Sequence, residues 1–447
     1  MRAAEAATAN SSVAAINAPL WAATAPPGAF FPELSGSADA DVVIIGAGFT
    51  GLSTALALAS RGQKVAVLEA GEPGEGASGR SGGQVIPGLR HFMKDLNAAY
   101  GAAAARRAHD FGSTAADTCF DLIDANGIAC EAVRSGKIQV ADTPAGLADA
   151  KVRADAWQKR GAPVRFLDRD ELIAATGTRA YLGGWIDMRG GSVQPLALTR
   201  GLASASRTAG ATVYARSRVR SVARTGAAWR VSTANGHVTA PKLLLATNAT
   251  TDALWPGLCQ TFLRVWSYQI ATTPLSAELR AHILPGDQSV SDTRRVLRYF
   301  RTDAAGRLIV GGKGRARTPA SIDDFDFQRQ TLGRLYPELA DHPLEYAWGG
   351  EVCITADRLP RIIRLGPDAY AHLGCNGKGV AWCTAIGEAF AEMFTSGDER
   401  ALPVPVTPLK RIPFHWLRHV YVGVGGAWLR LRDSLDAATA PTFKESK

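Results

Sequence analysis

Between Asp41 and Glu69 the chain reads DVVIIGAGFTGLSTALALASRGQKVAVLE, and each class of residue in it meets one demand of a strand-turn-helix-strand unit. Val42 to Ile45 form a short continuous apolar run, the pattern of a parallel strand buried on both faces. Three glycines follow at fixed spacing. Gly46 permits a tight turn, Gly48 lets a pyrophosphate approach the backbone, and Gly51 lets the next helix lie close to the strand. Leu52 to Ser60 supply that helix, whose N-terminal amides and dipole, with Phe49 and Thr50 at the entrance, favour an anion. Val65 to Leu68 make a second strand. Glu69, at its tip and followed by Ala70, stands where a carboxylate binds the ribose hydroxyls of an adenosine. The fold this implies is α/β, with a Rossmann-like dinucleotide domain.

The rest of the composition excludes several classes. A chain of 447 residues with 46% hydrophobic and 20% charged residues has ample core for two or more lobes. Glu5, Asn10 and Asn17 interrupt any apolar leader, and no run reaches membrane-spanning length, so a cytoplasmic protein is expected. Six cysteines show no CxxC pair and eight histidines no HxxxH or HExxH spacing, so no metal site is expected. The formal charge of +9 is scattered without a nucleic-acid motif, which points to acidic small molecules rather than nucleic acid.

Later segments favour FAD over NAD. Gly76 to Gly88, GASGRSGGQVIPG, is a polar glycine-rich loop carrying Ser78, Arg80, Ser81, Gly82, Gly83 and Gln84, suited to wrapping pyrophosphate and a flavin edge. Only one GxGxxG is present, so no second nucleotide domain is evident. Ala211 to Ala249 reads as short strands with a hairpin at Asn235-Gly236, expected to complete the cofactor sheet with Val219 near adenine and Thr247 beside the cofactor. Residues 372 to 394 read as a strand end, glycines and a helix of nearly four turns. Asn376, Gly377, Lys378, Gly379 and Val380 begin that helix, whose positive end suits a reduced flavin.

Between these segments, Ile128 to Ala141 and Val265 to Gly312 read as alternating strands of a second lobe, separated by a helix over Ala145 to Lys159. A strand from Asp292 to Arg301 puts Arg295, Leu297, Tyr299 and Arg301 on one face, where an arginine fork suits a carboxylate. Trp266, Tyr268, Trp348 and Cys375 are further candidates for the cavity wall. Lys313 is one candidate cation for oxygen activation and Lys378 another. The expected boundaries are an N-terminal extension over 1–36, a discontinuous FAD-binding domain over 37–95, 190–260 and 348–398, a substrate domain over 96–189 and 261–347, and a tail over 399–447.

The chain resembles the D-amino-acid oxidase superfamily of flavoproteins, in the branch of gamma-glutamylputrescine oxidase. The segments that carry the resemblance are GAGFTG, ASGRSGGQ, DMRGGSVQPLALTRGLA (187 to 203), SYQIATTPL, DTRRVLRYFR and WGGEVCITADRLPRI. The resemblance implies FAD without nicotinamide, an antiparallel sheet interleaved with the nucleotide domain and roofing the flavin, and oxidation of a carbon–nitrogen bond in an amine or amino acid with O2 as acceptor. A dehydrogenase acting on a pipecolate-like or sarcosine-like substrate and passing electrons to quinone is the alternative, and a noncatalytic flavoprotein a more distant one. Three positions depart from the pattern: Ser81, Gln194 before Pro195, and Cys375. Some relatives attach flavin to a cysteine seven residues before the Asp of a Thr-x-Asp step. Here the step is Thr355-Ala356-Asp357 and the position is Gly350, so noncovalent FAD is expected and Cys353 is expected to pack as a buried hydrophobe. The aromatic and basic tail from Leu409 to Leu435 is expected to pack on the protein itself, with no membrane contact.

Overall fold

A computed structural model describes residue 13 and residues 15–438. Its centre is a seven-stranded sheet in the order Val406–Pro408, Arg361–Gly366, Ala369–Leu373, Lys242–Leu245, Val42–Ile45, Val65–Leu68 and Thr212–Tyr214. The strands around Val42–Ile45 run parallel and in register, Val42 opposite Val65 and Lys242. Alternate side chains leave this sheet on opposite faces, both covered, which is why Val42–Ile45 and Val65–Leu68 are apolar throughout. Val42, Ile44, Val65 and Val67 pack under the helices Phe49–Ala59, Pro195–Thr208 and Gly379–Ser396. Val43, Ile45, Ala66 and Leu68 pack on the other side against Trp229, Val231 and Val238.

Those last three residues belong to a separate four-stranded sheet. The block from 211 to 249 contributes Thr212–Tyr214 and Lys242–Leu245 to the nucleotide sheet, but Ser221–Thr225, Ala228–Ser232 and Gly236–Ala240 join Gly36–Asp39 instead. The hairpin expected at Asn235-Gly236 is present, with Val231 opposite Val238. Its alternation gives it one apolar face, and that face lies flat on the larger sheet rather than extending its edge.

The first helix begins at Phe49, three residues earlier than its apolar pattern suggests, so Gly51 lies in its first turn. The second begins at Gly379 and runs to Ser396, beyond the end expected at 394. The two cross so closely that a Cβ on Gly387 would meet Ser53 C at 2.4 Å. A long helix, Ala102–Ala125, has its apolar side in the same core through Ala108, Ala115, Ala116 and Phe120. It lies in sequence within the stretch assigned to the substrate lobe.

The second lobe is an eight-stranded sheet in the order Leu344–Ile354, Leu263–Pro274, Arg307–Lys313, Arg298–Thr302, Ser289–Asp292, Lys137–Ala141, Gly183–Asp187 and Val164–Leu167. All neighbours are antiparallel except Ser289–Asp292 with Lys137–Ala141. One face is apolar, with Ile138, Val140, Tyr268, Ile270, Val290, Phe300 and Val310 covered by Leu332, Leu335 and Phe325. Strand registers place Lys137, Gln139, Trp185, Ser267, Gln269, Ser291, Tyr299, Arg301, Lys313 and Trp348 together on the other face.

The single strand expected from Asp292 to Arg301 is a hairpin. Ser289–Asp292 and Arg298–Thr302 pair antiparallel, and 293–297 turn between them. Two carboxylates hold the turn. Asp292 accepts from Arg298 N at 3.0 Å, and Asp433 of the C-terminal helix accepts from Val296 N at 3.0 Å. Arg295 therefore sits at the hairpin tip, paired with Asp433 at 3.1 Å, and shares no strand face with Tyr299. Strand Lys137–Ala141 occupies only the end of the expected 128–141, and the expected helix spans Pro144–Gln158, capped by Thr143.

Candidate functional site

The cavity at the end of the nucleotide sheet holds about 420 Å³ and is lined by Gly46, Gly48, Glu69, Ala70, Ser78, Val219 and Thr247, among others. Its walls come from the carboxyl ends of three parallel strands, where backbone groups have no further ladder partner. The glycines are required here. Gly46 has φ +105°, and a Cβ there would lie 3.0 Å from Ala246 O. A Cβ on Gly48 would come 2.7 Å from Ser78 Oγ, and one on Gly51 only 1.9 Å from Gly46 O. Glu69 is held in place by amides, accepting from Ala47 N at 2.7 Å and Gly71 N at 3.1 Å. Ser78 Oγ accepts from Phe49 N at 3.2 Å, tying the glycine-rich loop to the helix entrance.

Several residues expected to face the cofactor turn elsewhere. The Arg80 guanidinium donates to Gly349 O at 2.6 Å and to Asn17 O at 2.9 Å, so it pins the N-terminal segment to strand Leu344–Ile354. Gln84 donates to Val290 O at 3.1 Å and lies under the second sheet. Thr50 is paired with His372 Nδ1 at 3.0 Å. Burial pushes His372 down to about 4 and Trp382 Nε1 donates to its Nε2, so the ring is neutral and its Nδ1 proton goes to Thr50. Phe49 and Val380 bury their side chains in the core, leaving only backbone toward the cavity side. Ser81 contributes a carbonyl that accepts from Trp21 Nε1 at 2.8 Å.

The polar face of the second sheet lies against this loop. Gln269 and Trp348 both donate to Arg80 O, at 2.9 and 3.2 Å. Gln269 Oε1 is buried and finds no hydrogen-bond partner among the described residues, 3.5 Å from where a Cβ on Gly82 would sit. Tyr299 crowds the same glycine and shares a hydrogen bond with Ser267 at 2.8 Å; burial pushes its hydroxyl up to about 12. Trp348 is fully buried edge-on against Trp21 at 5.7 Å. Arg301 is not a free fork: its donors go to Gly82 O at 2.8 Å, Val193 O at 2.8 Å and Thr302 O at 3.0 Å.

Trp266 and Tyr268 leave the sheet on the opposite, apolar face. Tyr268 packs on Phe325 and donates to Arg317 O, so neither residue walls a cavity shared with Tyr299. Lys313 is on the Tyr299 face, opposite Ser267. Asn376, at φ +50°, accepts from Thr355 N at 3.0 Å and so joins the Thr-x-Asp step to the helix entrance. Gly377, at φ +86°, completes the turn. Cys375 Sγ accepts from Asn248 Nδ2 at 3.3 Å, and the hydrogen bond from Cys383 leads in holding its thiol below the ordinary value. Cys353 is a buried hydrophobe whose thiol burial pushes up.

Two lysines complete the site. Lys378, at the N-cap of helix Gly379–Ser396, donates to Gly88 O at 2.9 Å and Pro87 O at 3.3 Å. Burial, reinforced by Arg153 and Arg90, pushes it down to about 7. Lys137 is buried on the sheet above and donates to Ile138 O; burial, then Lys378, pushes it well below the usual lysine value. Pattern reading overlooked Lys137, Gln139 and Asn248. The first two were legible in the alternation of KIQVA, and Asn248 in its place three residues beyond the buried strand end at Leu245.

The depressed Lys378 has a sign that can be tested. An unfolded lysine stays protonated to about pH 10.4, so from pH 7 upward the unfolded chain binds the extra proton and stability from this group rises with pH. Relative to wild type, Lys378→Met is expected to be most favourable at pH 7 and to lose that advantage steadily toward pH 10. Urea midpoints of both proteins across that range measure it, and a difference independent of pH would refute the assignment.

Comparison with known proteins decides the family. Residues 41–393 match the family model DAO, described as FAD dependent oxidoreductase. The chain belongs to this family. The DAO match covers all eight strands of the second lobe and every strand of the nucleotide sheet except the edge strand Val406–Pro408. Among its relatives, gamma-glutamylputrescine oxidoreductase of Escherichia coli is 31% identical, over 93% of this chain and 98% of that protein. A probable oxidoreductase OrdL of Rhizobium meliloti is 33% identical over 83% and 87%. The crystal structure of glycine oxidase from Geobacillus kaustophilus shares the fold with a TM-score of 0.70, at 19% identity over 84% of this chain and 99% of that one. The resemblance drawn from the motifs and the two-lobed α/β fold are thereby established, and the chain is an enzyme. The glycine cradle, the amide-held Glu69 and the cavity fit the family's FAD.

Proposed function

We propose that this DAO enzyme oxidises the carbon–nitrogen bond of a primary or secondary amine or amino acid, with noncovalent FAD and with O2 as acceptor. The products are an imine, which hydrolyses to a carbonyl compound, and hydrogen peroxide. The observation that carries the reading is the polar face of the second sheet, set on the glycine-rich loop beside the dinucleotide cavity. The relative that acts, by its name, on gamma-glutamylputrescine supports the amine class.

In this reading Gly46, Gly48, Gly51 and Ser78, gathered at the N-terminal end of helix Phe49–Ala59, hold the pyrophosphate. Glu69, Ala70 and Val219 hold the adenosine, and Gly82, Gly83, Thr247, Asn376, Gly377 and Gly379 surround the flavin end. Bound FAD supplies a two-electron acceptor for the substrate's C–H hydride and, once reduced, the electrons for O2. Lys378 donates its protons to two backbone carbonyls, and its neutral form keeps a lone pair that can hold the proton of a substrate ammonium. Tyr299, with Ser267, orients the amine side chain, and Cys375 leaves room beside it. Lys313 serves as the cation for oxygen. Gly350 at the attachment position leaves no nucleophile there, which supports noncovalent flavin.

Anaerobic mixing of the purified flavoprotein with polyamines, gamma-glutamyl amines and primary and secondary amino acids tests the proposal. One class is expected to bleach the flavin, and air to restore it with one peroxide per turnover. Bleaching that air does not reverse would favour a dehydrogenase; no bleaching by any amine would overturn the reading.

A further inference from the structure

The C-terminal helix Arg418–Ala438 is fastened to the body from one side. Asp433 is buried and accepts from Val296 N and Arg295 at the hairpin tip. At the near end Ile412 N donates to Gln260 O at 2.8 Å, and His415 Nε2 lies 3.0 Å from Phe262 O. These contacts set the rotation of the helix. At 3.6 residues per turn, Val420, Val424 and Trp428 lie within an arc of about 80°, centred about 180° from Asp433. The outward face is therefore the apolar one, the reverse of a solvated surface helix.

The exposures agree: Val420 is 52%, Val424 65% and Trp428 57% exposed, and just before the helix Phe414 is 67% and Trp416 71% exposed. A contiguous apolar stripe of this kind marks an interaction surface. Its surroundings identify the partner. From Leu409 to Arg432 the sequence has no Asp or Glu, while Lys410, Arg411, Arg418 and Arg432 in the same segment are exposed. Two copies of this surface would set like charges against each other. Aromatic rings flanked by cations instead suit the headgroup boundary of an anionic bilayer. Among the described residues no helix is long and apolar enough to cross a membrane, so the attachment is in the plane of the surface.

We propose that the segment from Phe414 to Trp428 docks the enzyme on anionic lipid membranes, its aromatic stripe in the headgroup layer and its arginines on the lipid phosphates. This reverses the expectation that the tail packs wholly on the protein.

The test is co-sedimentation of the full holoenzyme with vesicles of phosphatidylcholine alone or mixed with phosphatidylglycerol. Binding is expected to rise about tenfold with the anionic lipid and to weaken in high salt. The variant Trp416→Glu/Val424→Glu/Trp428→Glu is expected to lose about tenfold of that binding, with flavin content and melting temperature unchanged. Absence of sedimentation with anionic vesicles at low salt would overturn the proposal. So would binding that the triple variant retains, or a concentration-dependent dimer that it abolishes.

Discussion

Gly51→Ala is expected to leave the purified enzyme nearly without FAD. The added carbon would lie 1.9 Å from Gly46 O and 3.3 Å from Ile44 Cγ2, and neither neighbour can yield easily. Gly46 already holds φ +105° with Ala246 O 3.0 Å from where its own Cβ would sit, and Ile44 is fully buried. The helix Phe49–Ala59 must then move away from the strand, carrying with it the amides that face the cavity. Overpacking of this kind costs about 1–3 kcal/mol in a well-packed core. The greater effect falls on the cofactor, because several anion contacts share that helix entrance and are displaced together. Flavin absorbance per protein is expected to fall about tenfold, a loss of about 1.4 kcal/mol or more in cofactor binding. Gly76→Ala is the control. It lines the same cavity, but its added carbon would meet only Thr250 Cγ2 at an ordinary 3.6 Å, and flavin content is expected to stay intact.

Arg301→Met is expected to give the second large loss, in stability. Arg301 is 4% exposed, and its guanidinium joins three segments through Gly82 O, Val193 O and Thr302 O while lying 4.7 Å from the Trp21 ring. Burial lowers it only to about 10, so it remains a cation at neutral pH. Hydrogen bonds to a charged donor contribute about 1.5–3 kcal/mol each, and leaving buried carbonyls unpaired adds to the loss. A drop of about 3 kcal/mol or more in unfolding free energy is expected, read from urea transitions of the holoenzyme. Arg301→Lys restores only part, since a single ammonium cannot span three carbonyls held by a planar fork. Had Arg301 been a free fork for a substrate carboxylate, Arg301→Met would keep its stability and lose only affinity for acidic substrates.

The contrast between these two residues shows what was legible in the chain. Gly51 could be read because its role depends on neighbours in sequence: a glycine five residues after Gly46 meets Gly46 O whenever a strand, tight turn and helix follow one another. The same local rule located Glu69, Ser78 and the entrance at Gly377 to Gly379. Arg301 was correctly placed on a strand face with Tyr299, since a period of two suffices for that, but its partners Gly82 and Val193 are more than a hundred residues away. The hairpin at 293–297 was missed for a similar reason, as the carboxylate of Asp433 that holds its tip comes from the C-terminal helix.

Sequence by itself determined the dinucleotide cradle, the membership of the flavin-dependent family and the alternation that makes one face of the second sheet polar. Each of these follows from spacing along a strand or across one turn, where covalent geometry sets the distances. Tertiary structure alone decided which polar residues meet over the glycine-rich loop, why Arg80 and Gln84 of that loop turn away from the dinucleotide cavity, and which side of the C-terminal helix faces outward. Those outcomes depend on strand register and helix rotation, which are set by contacts between segments far apart in the chain.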